Sequence, residues 1–190
     1  MTSKVVLLRP KRLGDDRGWF SEIYNERVFS SYGINDRFVQ DNHSLSVPVG
    51  TLRGLHFQTP PFEQAKLVRC IRGAIFDVAV DIRRDSPTFG RWVGAELSAE
   101  NGHQLYVPVG FAHGFVTLEP STEVTYKVSN LYSAQNDGGI LWSDIQIGVE
   151  WPLHDGITPL LSPKDERQPL LRDFDSPFDY DGVPLELVER

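Results

Sequence analysis

Two histidines in apolar, strand-like surroundings are the residues of this chain that are best suited to chemistry. His56 lies within the run Leu52–Gln58, and His113 ends the run Pro108–His113. Two imidazoles that enter one β-barrel can hold a metal ion, or one of them can act as a general base. A metal site would favour a second histidine two residues after His56. The amide of Gln58, a poor ligand for transition metals, stands there instead. The sequence therefore predicts a metal-free acid/base site.

The pattern around the second histidine matches half of the cupin signature. Its residues are Gly102, Pro108, Gly110 and His113. The signature continues to an asparagine, where Thr117 stands, and of its first half only His56 and Glu63 are present. Catalytic metal sites of this kind generally need three or more protein ligands. We therefore expect the cupin fold without its metal site, and no cofactor.

A carboxylate lies at the centre of the strand predicted over Ala74–Ile82. Side chains alternate along a strand, so Asp77 shares a face with Ala79 and Asp81, opposite to Val78. Asp77 either faces solvent or faces the barrel interior. In the interior it would hydrogen-bond a histidine and fix the tautomer of that ring.

The same alternation puts His56 and Arg53 on opposite faces of their strand. One site that contains both side chains requires the backbone to bulge or turn near Gly54, which glycine permits. The bulge is a requirement of that interpretation.

Composition and charge exclude several classes of protein. The 190 residues suffice for one well-buried core, and the hydrophobic fraction of 40% is that of a globular protein. The net charge of −7 argues against nucleic acid or an anionic membrane as partner. Cys70 is the only cysteine and is expected to pack in the core. The N-terminal apolar run is too short for a secretion signal, so we expect a cytoplasmic protein.

Short alternating runs separated by turn residues predict an all-β fold, a cupin or jelly-roll β-barrel with a few short helices. We expect one domain over residues 1–190, with an irregular C-terminal tail from about residue 152. A short helix should follow Asn25 and end at Gly33, and a helical turn is expected near residues 164–167. The predicted strands span residues 19–24, 37–39, 52–57, 66–71, 74–82, 92–97, 104–107, 115–118 and 124–128.

Eight sequence motifs are distributed over most of the chain. They are Asp16–Phe20, Phe38–Ser44, Leu52–Gln58, Gln64–Arg69, Asp77–Asp81, Ser86–Gly90, Pro108–Phe115 and Leu161–Asp165. In this order they resemble the motifs of the dTDP-4-dehydrorhamnose 3,5-epimerase family, metal-free cupins of deoxysugar biosynthesis. The resemblance implies epimerisation at C3 and C5 of dTDP-4-dehydro-6-deoxy-D-glucose to dTDP-4-dehydro-L-rhamnose, in the pathway to dTDP-L-rhamnose.

The resemblance also implies roles for individual residues. His56, paired with Asp165, would remove a proton next to the C4 carbonyl. Lys66 would stabilise the enolate oxygen, and Tyr126 would return a proton from the opposite face. His113 with Asp77 would form a second histidine–carboxylate pair, oriented toward the substrate. The implied catalytic residues are therefore His56, Tyr126, Lys66, Asp165, His113 and Asp77.

A nucleotide sugar needs cations for its diphosphate and an aromatic plane for its base. The resemblance implies that Tyr132 stacks on thymine, and it puts Asp137 where the family more often has glutamate. It further implies a homodimer that associates through the β-sheets. The implied substrate-binding residues are Arg17, Glu22, Gln40, Asn42, Arg53, Lys66, His113, Tyr132, Asp137 and Lys164.

Three alternatives remain open on the sequence. The nearest is a relative that inverts one carbon, C3 or C5, or a ketoisomerase of the same fold. A metal-dependent cupin oxygenase is disfavoured by Gln58. A sugar-binding cupin without catalysis would have no need for His56 and Tyr126 together.

Overall fold

Two β-sheets lie face to face in a computed structural model of the protein, which describes residues 3–153 and 157–190. The six-stranded sheet has the order β13-β1-β9-β6-β11-β4, and the five-stranded sheet has the order β12-β5-β10-β7-β8. A separate hairpin is formed by β2 and β3. The strands are β1 Val5–Leu8, β2 Leu13–Asp15, β3 Gly18–Phe20, β4 Gln40–Ser46, β5 Leu52–Gln58, β6 Lys66–Arg72, β7 Ala74–Asp81, β8 Trp92–Ser98, β9 Gln104–Val107, β10 Phe111–Thr117, β11 Thr122–Val128, β12 Asp137–Gly139 and β13 Leu187–Glu189.

The main hydrophobic core lies between the inner faces of the two sheets. Val68 and Val124 of the six-stranded sheet contact the same cluster as Ile75, Ala79 and Phe115 of the five-stranded sheet. Within the described ranges no hydrogen-bonded ladder joins the sheets, so the barrel is open at its seams. The prediction of an all-β, cupin-like fold is confirmed. Among the described residues, no helix has the length and apolar character needed to cross a membrane.

In the described part of the chain, a single short α-helix, α1, spans Glu26–Ser31 and covers the outer face of the six-stranded sheet. The side chain of Asn25 accepts hydrogen bonds from the backbone N–H groups of Arg27 and Val28, which is the role of an N-cap. Phe29 is the buried residue of the helix. The predicted helix after Asn25 is confirmed.

The prediction was wrong at the edge strand β4, and the strand expected over residues 19–24 ends at Phe20. A strand was expected over residues 37–39, but these residues are irregular and the strand is Gln40–Ser46. The pairs Asn42–Tyr126 and Gln40–Val128 put polar side chains of β4 on the inner face. Apolar alternation therefore could not reveal this strand, because its inner side chains line a polar cavity and do not join the core.

The C-terminal part of the chain is mostly irregular but contains local structure. A 3-10 turn over Asp165–Arg167 confirms the helical turn expected there, and a second 3-10 turn spans Leu171–Asp173. Strand β13 pairs parallel with β1 and forms one edge of the six-stranded sheet. Residues 154–156 of the predicted tail lie outside the described residues.

The bulge that a common site for Arg53 and His56 requires is present in β5. His113 of β10 pairs with His56, whereas Phe115, two residues on, pairs with Arg53, three residues back. One extra residue of β5 therefore lies between the two pairs. Gly54 has φ +141°, and a Cβ there would lie 2.5 Å from the Cα of Gly114. Glycine at this point lets the two strands approach closely while Arg53 changes face.

We expect Gly54→Ala to lower the free energy of unfolding by at least about 1–3 kcal/mol, because the added methyl group overlaps backbone that cannot move aside. Gly18→Ala is the matched control. Its φ is also positive, at +130°, but a Cβ there meets nothing within 4 Å. Urea unfolding of both variants checks the prediction. An equal loss in both would mean that the close approach at Gly54 contributes nothing.

Candidate active site

A polar cavity of about 270 Å³ opens at one end of the space between the two sheets. Both inner faces contribute to it, β5 from one sheet and β4, β6 and β11 from the other. Its lining is Gln40, Asn42, His56, Phe57, Gln58, Gln64, Lys66, Tyr126, Tyr132, Asp137 and Lys164. Eight of these residues are among those expected from the sequence to be catalytic or to bind substrate.

His56 is held by a carboxylate from the C-terminal segment. Its Nε2 hydrogen-bonds Oδ1 of Asp165, a buried residue of the first 3-10 turn. The hydroxyl of Ser162 donates to the other oxygen, Oδ2, at 2.8 Å. Burial acts to raise the pKa of Asp165, but these hydrogen bonds outweigh it and the pKa is lowered. An ionised carboxylate only accepts, so Nε2 of His56 is the protonated nitrogen and Nδ1 is left as the basic one.

A second histidine–carboxylate pair lies behind the first. His113 pairs directly with His56 across β10 and β5 and with Ala79 across β10 and β7, which makes Asp77 its diagonal neighbour. Nε2 of His113 lies 2.7 Å from Oδ1 of Asp77, whose exposure is 0%. Burial lowers the pKa of His113, and the Asp77 carboxylate opposes this shift. Asp77 therefore faces the interior, and the ring beside it is neutral at pH 7.

Lys66 is a buried cation at the start of β6. Its Nζ donates to the backbone carbonyl of His56 at 3.3 Å, and among the described residues it forms no salt bridge. Burial lowers the pKa of Lys66 to about 8, while the charges of Asp77 and Asp137 act against that shift. The ammonium group is therefore charged at neutral pH and only weakly neutralised by its surroundings.

Tyr126 lies on the wall opposite His56. It belongs to β11 of the six-stranded sheet, between Asn42 and Val68 in register, and its ring meets the core cluster. Burial raises the pKa of Tyr126, and the positive charge of Arg53 opposes the shift. The phenol is therefore protonated and able to donate. Arg53, which was expected to bind substrate, does not line the cavity, and its guanidinium donates to Ser46 and to the carbonyl of Leu45.

The mouth of the cavity carries charged and aromatic groups. Lys164 forms a salt bridge with Asp137, and the hydroxyl of Tyr132 donates to the same carboxylate at 3.2 Å. The Tyr132 side chain is largely exposed, with 60% of the residue surface accessible. Gln40 accepts from the Tyr132 backbone N–H and donates to Asn42.

Two other residues expected to bind substrate lie elsewhere in this chain. Arg17 is in the exposed hairpin and forms a salt bridge with Asp15. Glu22 accepts from Asn25 and lines a different hollow beside α1. Neither lines the cavity, and the hairpin residues Leu13 and Phe20 border the same hollow beside α1 as Glu22.

The surroundings of the cavity contain residues whose part the sequence did not reveal. The sequence marks Gln58 only as a poor metal ligand, but its side-chain amide bonds to the backbone of two loops. Ser162 orients Asp165, and its position three residues before an aspartate is the available signal. Glu63, the remaining candidate ligand, lines a separate hollow. In the described parts of the chain, no group of three or more His, Cys, Asp or Glu residues has the geometry to hold a metal ion.

This arrangement places a basic imidazole, a buried ammonium and a neutral phenol around one cavity. Such a set can remove a proton from a carbon acid, stabilise the enolate oxygen and return a proton from the other side. The fold and the site therefore define a cupin-type enzyme of acid/base chemistry.

Comparison with known proteins identifies the family. The sequence pattern described as dTDP-4-dehydrorhamnose 3,5-epimerase matches residues 2–173. The dTDP-4-dehydrorhamnose 3,5-epimerase of Sinorhizobium fredii is 54% identical over 178 residues, which cover 94% of this chain and 90% of that protein. The chain belongs to the dTDP-4-dehydrorhamnose 3,5-epimerase family.

Solved structures agree with this assignment. The Bacillus anthracis dTDP-4-dehydrorhamnose 3,5-epimerase, crystallised with TDP and PPi bound, has a TM-score of 0.83 and 53% identity, with 86% of this chain and 92% of that chain covered. A 3′-monoepimerase from Streptomyces bikiniensis, in complex with dTDP-quinovose, has a TM-score of 0.81 but 35% identity, with 88% and 84% covered. The two TM-scores are nearly equal, whereas the sequence identity to the 3,5-epimerase is higher.

We expect the side chain of Lys66 to titrate near pH 8, below the ordinary lysine value of 10.5, because burial penalises its charged form. Carbon-13 NMR of the lysine Cε resonances across a pH series measures this midpoint. Lys66→Arg should remove that resonance and leave the other lysines unchanged. If every lysine resonance titrates near its ordinary value, the ammonium group is better solvated than its burial implies.

Proposed function

We propose that this enzyme inverts C3 and C5 of dTDP-4-dehydro-6-deoxy-D-glucose to give dTDP-4-dehydro-L-rhamnose, in dTDP-L-rhamnose biosynthesis and without a cofactor. The observation that carries this proposal is that His56 and Tyr126 lie on opposite sheets and line the same cavity. Inversion at carbon requires removal of a proton from one face and its return to the other.

The proposed reaction begins at the basic nitrogen of His56. Nδ1 takes the proton from a carbon next to the C4 carbonyl, the electron pair of the C–H bond forms a C=C bond, and negative charge develops on the C4 oxygen. Lys66, charged below pH 8, stabilises that oxygen as a preorganised cation. The phenol of Tyr126 then gives its proton to the carbon from the opposite face while the C4 carbonyl re-forms. The resulting phenolate takes a proton from solvent and the protonated His56 releases one to solvent, which restores both groups. Both reactive carbons flank one carbonyl, so the same groups serve each in turn.

The second histidine pair supports this assignment. His113 is buried beside His56, and its neutral ring carries an Nδ1 acceptor once Nε2 donates to Asp77. We propose that His113 orients a hydroxyl of the sugar, which would keep the reacting carbon within reach of His56.

The nucleotide half of the substrate is proposed to bind at the mouth of the cavity. The exposed ring of Tyr132 offers a plane for thymine, and Lys164 with Arg53 offers positive charge to the diphosphate. Gln40 and Asn42 line the cavity between these groups and the catalytic residues, where their amides can bond to the sugar.

A homodimer is proposed to complete the site. The β2–β3 hairpin exposes Leu13, Trp19 and Phe20, at 56%, 56% and 69%, and such apolar exposure favours contact with a second copy. Arg17 lies in the same hairpin and Glu22 follows it, so a dimer that covers the hairpin could bring both to the partner's cavity. We also propose that residues 1–190 act as one domain in the cytoplasm, which the match over residues 2–173 and the lone, unpaired Cys70 support.

The alternative function is epimerisation at one carbon only, which the similarity to a 3′-monoepimerase keeps open. NMR of the reaction with dTDP-4-dehydro-6-deoxy-D-glucose in D2O separates the two. We expect deuterium at both C3 and C5 and a product with the L configuration. Exchange and inversion at a single carbon would replace the proposal with the alternative.

We expect His56→Asn to abolish deuterium exchange at both carbons while dTDP still binds, because the nucleotide contacts lie at the mouth and only proton removal is lost. Exchange rates by NMR and dTDP affinity by calorimetry measure the two effects. His43→Asn is the matched control, because His43 lies on the outer face of β4 and bonds Glu123. Near-normal exchange in His56→Asn would make another group the base.

We expect Tyr126→Phe to retain deuterium exchange while formation of the L-sugar falls by about 10²–10⁴-fold, the loss typical of a positioned general acid. The proton would then return from the original face or from water. In Lys66→Ala, exchange and inversion should fall together, because the enolate itself loses its stabilisation. NMR of the product and of its deuterium content measures both rates. Equal losses of exchange and inversion in Tyr126→Phe would contradict its role as donor.

A further inference from the structure

Gln58 ends β5 two residues after the proposed base, and its side chain is almost fully buried, at 4% exposure. All of its hydrogen bonds go to the backbone of two loops at the mouth of the cavity. Its Nε2 donates to the carbonyl of Phe62 at 2.6 Å and to the carbonyl of Leu131 at 3.1 Å. Its Oε1 accepts from the N–H of Ser133 at 2.8 Å.

These bonds surround the aromatic residue at the mouth. Leu131 and Ser133 flank Tyr132, and the backbone N–H of Tyr132 itself donates to Oε1 of Gln40 at 3.2 Å. Three consecutive residues are thus bound by two glutamines of the barrel strands. Tyr132 is 60% exposed, so packing contributes little to its position, which depends on these backbone bonds and on the bond of its hydroxyl to Asp137.

We propose that Gln58 is a positioning residue for nucleotide recognition, which acts by fixing the backbone of Leu131–Ser133 so that Tyr132 presents its ring to the base. The inference rests on the proposed function, because it takes Tyr132 as the base-binding residue. The Gln58 amide, placed where a metal ligand was considered, then connects the strand of the base His56 to the loop that binds the nucleotide.

The proposal predicts an effect on binding with little effect on the chemical step. Gln58→Met has nearly the same shape but leaves both carbonyls and the Ser133 N–H without partners, so the loop should move. We expect the Kd for dTDP and the KM for the sugar nucleotide to rise by about 5- to 150-fold, the range for loss of one base–aromatic stack. The kcat should remain near that of the wild type, because His56, Lys66 and Tyr126 keep their partners.

Two further variants separate positioning from general destabilisation. Gln58→Glu keeps an oxygen for the Ser133 N–H but offers no N–H to the two carbonyls, and it should also weaken dTDP binding. Thr122→Val is the matched control. It removes a buried hydroxyl that bonds the backbone of Glu119 at the β10–β11 turn, and it should leave the Kd unchanged.

A double-mutant cycle provides the decisive measurement. If Gln58 acts through Tyr132, Gln58→Met should have no further effect on the dTDP Kd in a Tyr132→Ala background. Calorimetry of the four proteins gives the coupling. Failure of the wild type to bind dTDP would contradict the proposed function itself. Binding by the wild type with an unchanged Kd in Gln58→Met, additive effects in the cycle, or an equal fall of kcat would overturn this inference alone.

Discussion

The hydrogen bond between His56 and Asp165 is the interaction on which the site depends. It joins a strand of the five-stranded sheet to a turn 109 residues later, and the buried carboxylate is satisfied by that ring and by Ser162. A buried carboxylate without such partners would be costly and would take up a proton. Because Asp165 remains ionised, the ring presents Nδ1 as its basic atom, and the C-terminal segment is held against the barrel at the point where chemistry is proposed.

The inner faces of the two sheets form both an apolar core and a site with ionisable groups, although an apolar environment disfavours charge. Toward one end they form a dry core of residues such as Val68, Ala79 and Phe115. Toward the other end the same faces carry ionisable groups. His113 bonds to Asp77, and among the described residues Lys66 bonds only to the backbone carbonyl of His56. Burial of the Lys66 ammonium group costs free energy, because no salt bridge among the described residues offsets its charge. Enzymes retain such groups where charge develops during a reaction, because a preorganised cation needs no rearrangement there.

The mouth of the cavity follows a different principle. Tyr132 and the Asp137–Lys164 pair are exposed, and surface ion pairs contribute little to stability. The backbone on either side of Tyr132 is bonded by the buried amide of Gln58. In the proposed function, affinity for the nucleotide and the rate of proton transfer therefore depend on different residues.

The sequence by itself determined the all-β class, α1 with its cap at Asn25, and the requirement for a bulge at Gly54, because these follow from local alternation, capping chemistry and backbone freedom. It could not reveal β4 as a strand, since the polar inner residues of β4 break the apolar pattern. The family resemblance implied the two histidine–carboxylate pairs, but only the tertiary structure decided that burial lowers the pKa of Lys66 and that Gln58 bonds to the loop of Tyr132. Those facts depend on contacts between residues far apart in the chain, whose distances and burial no local pattern encodes.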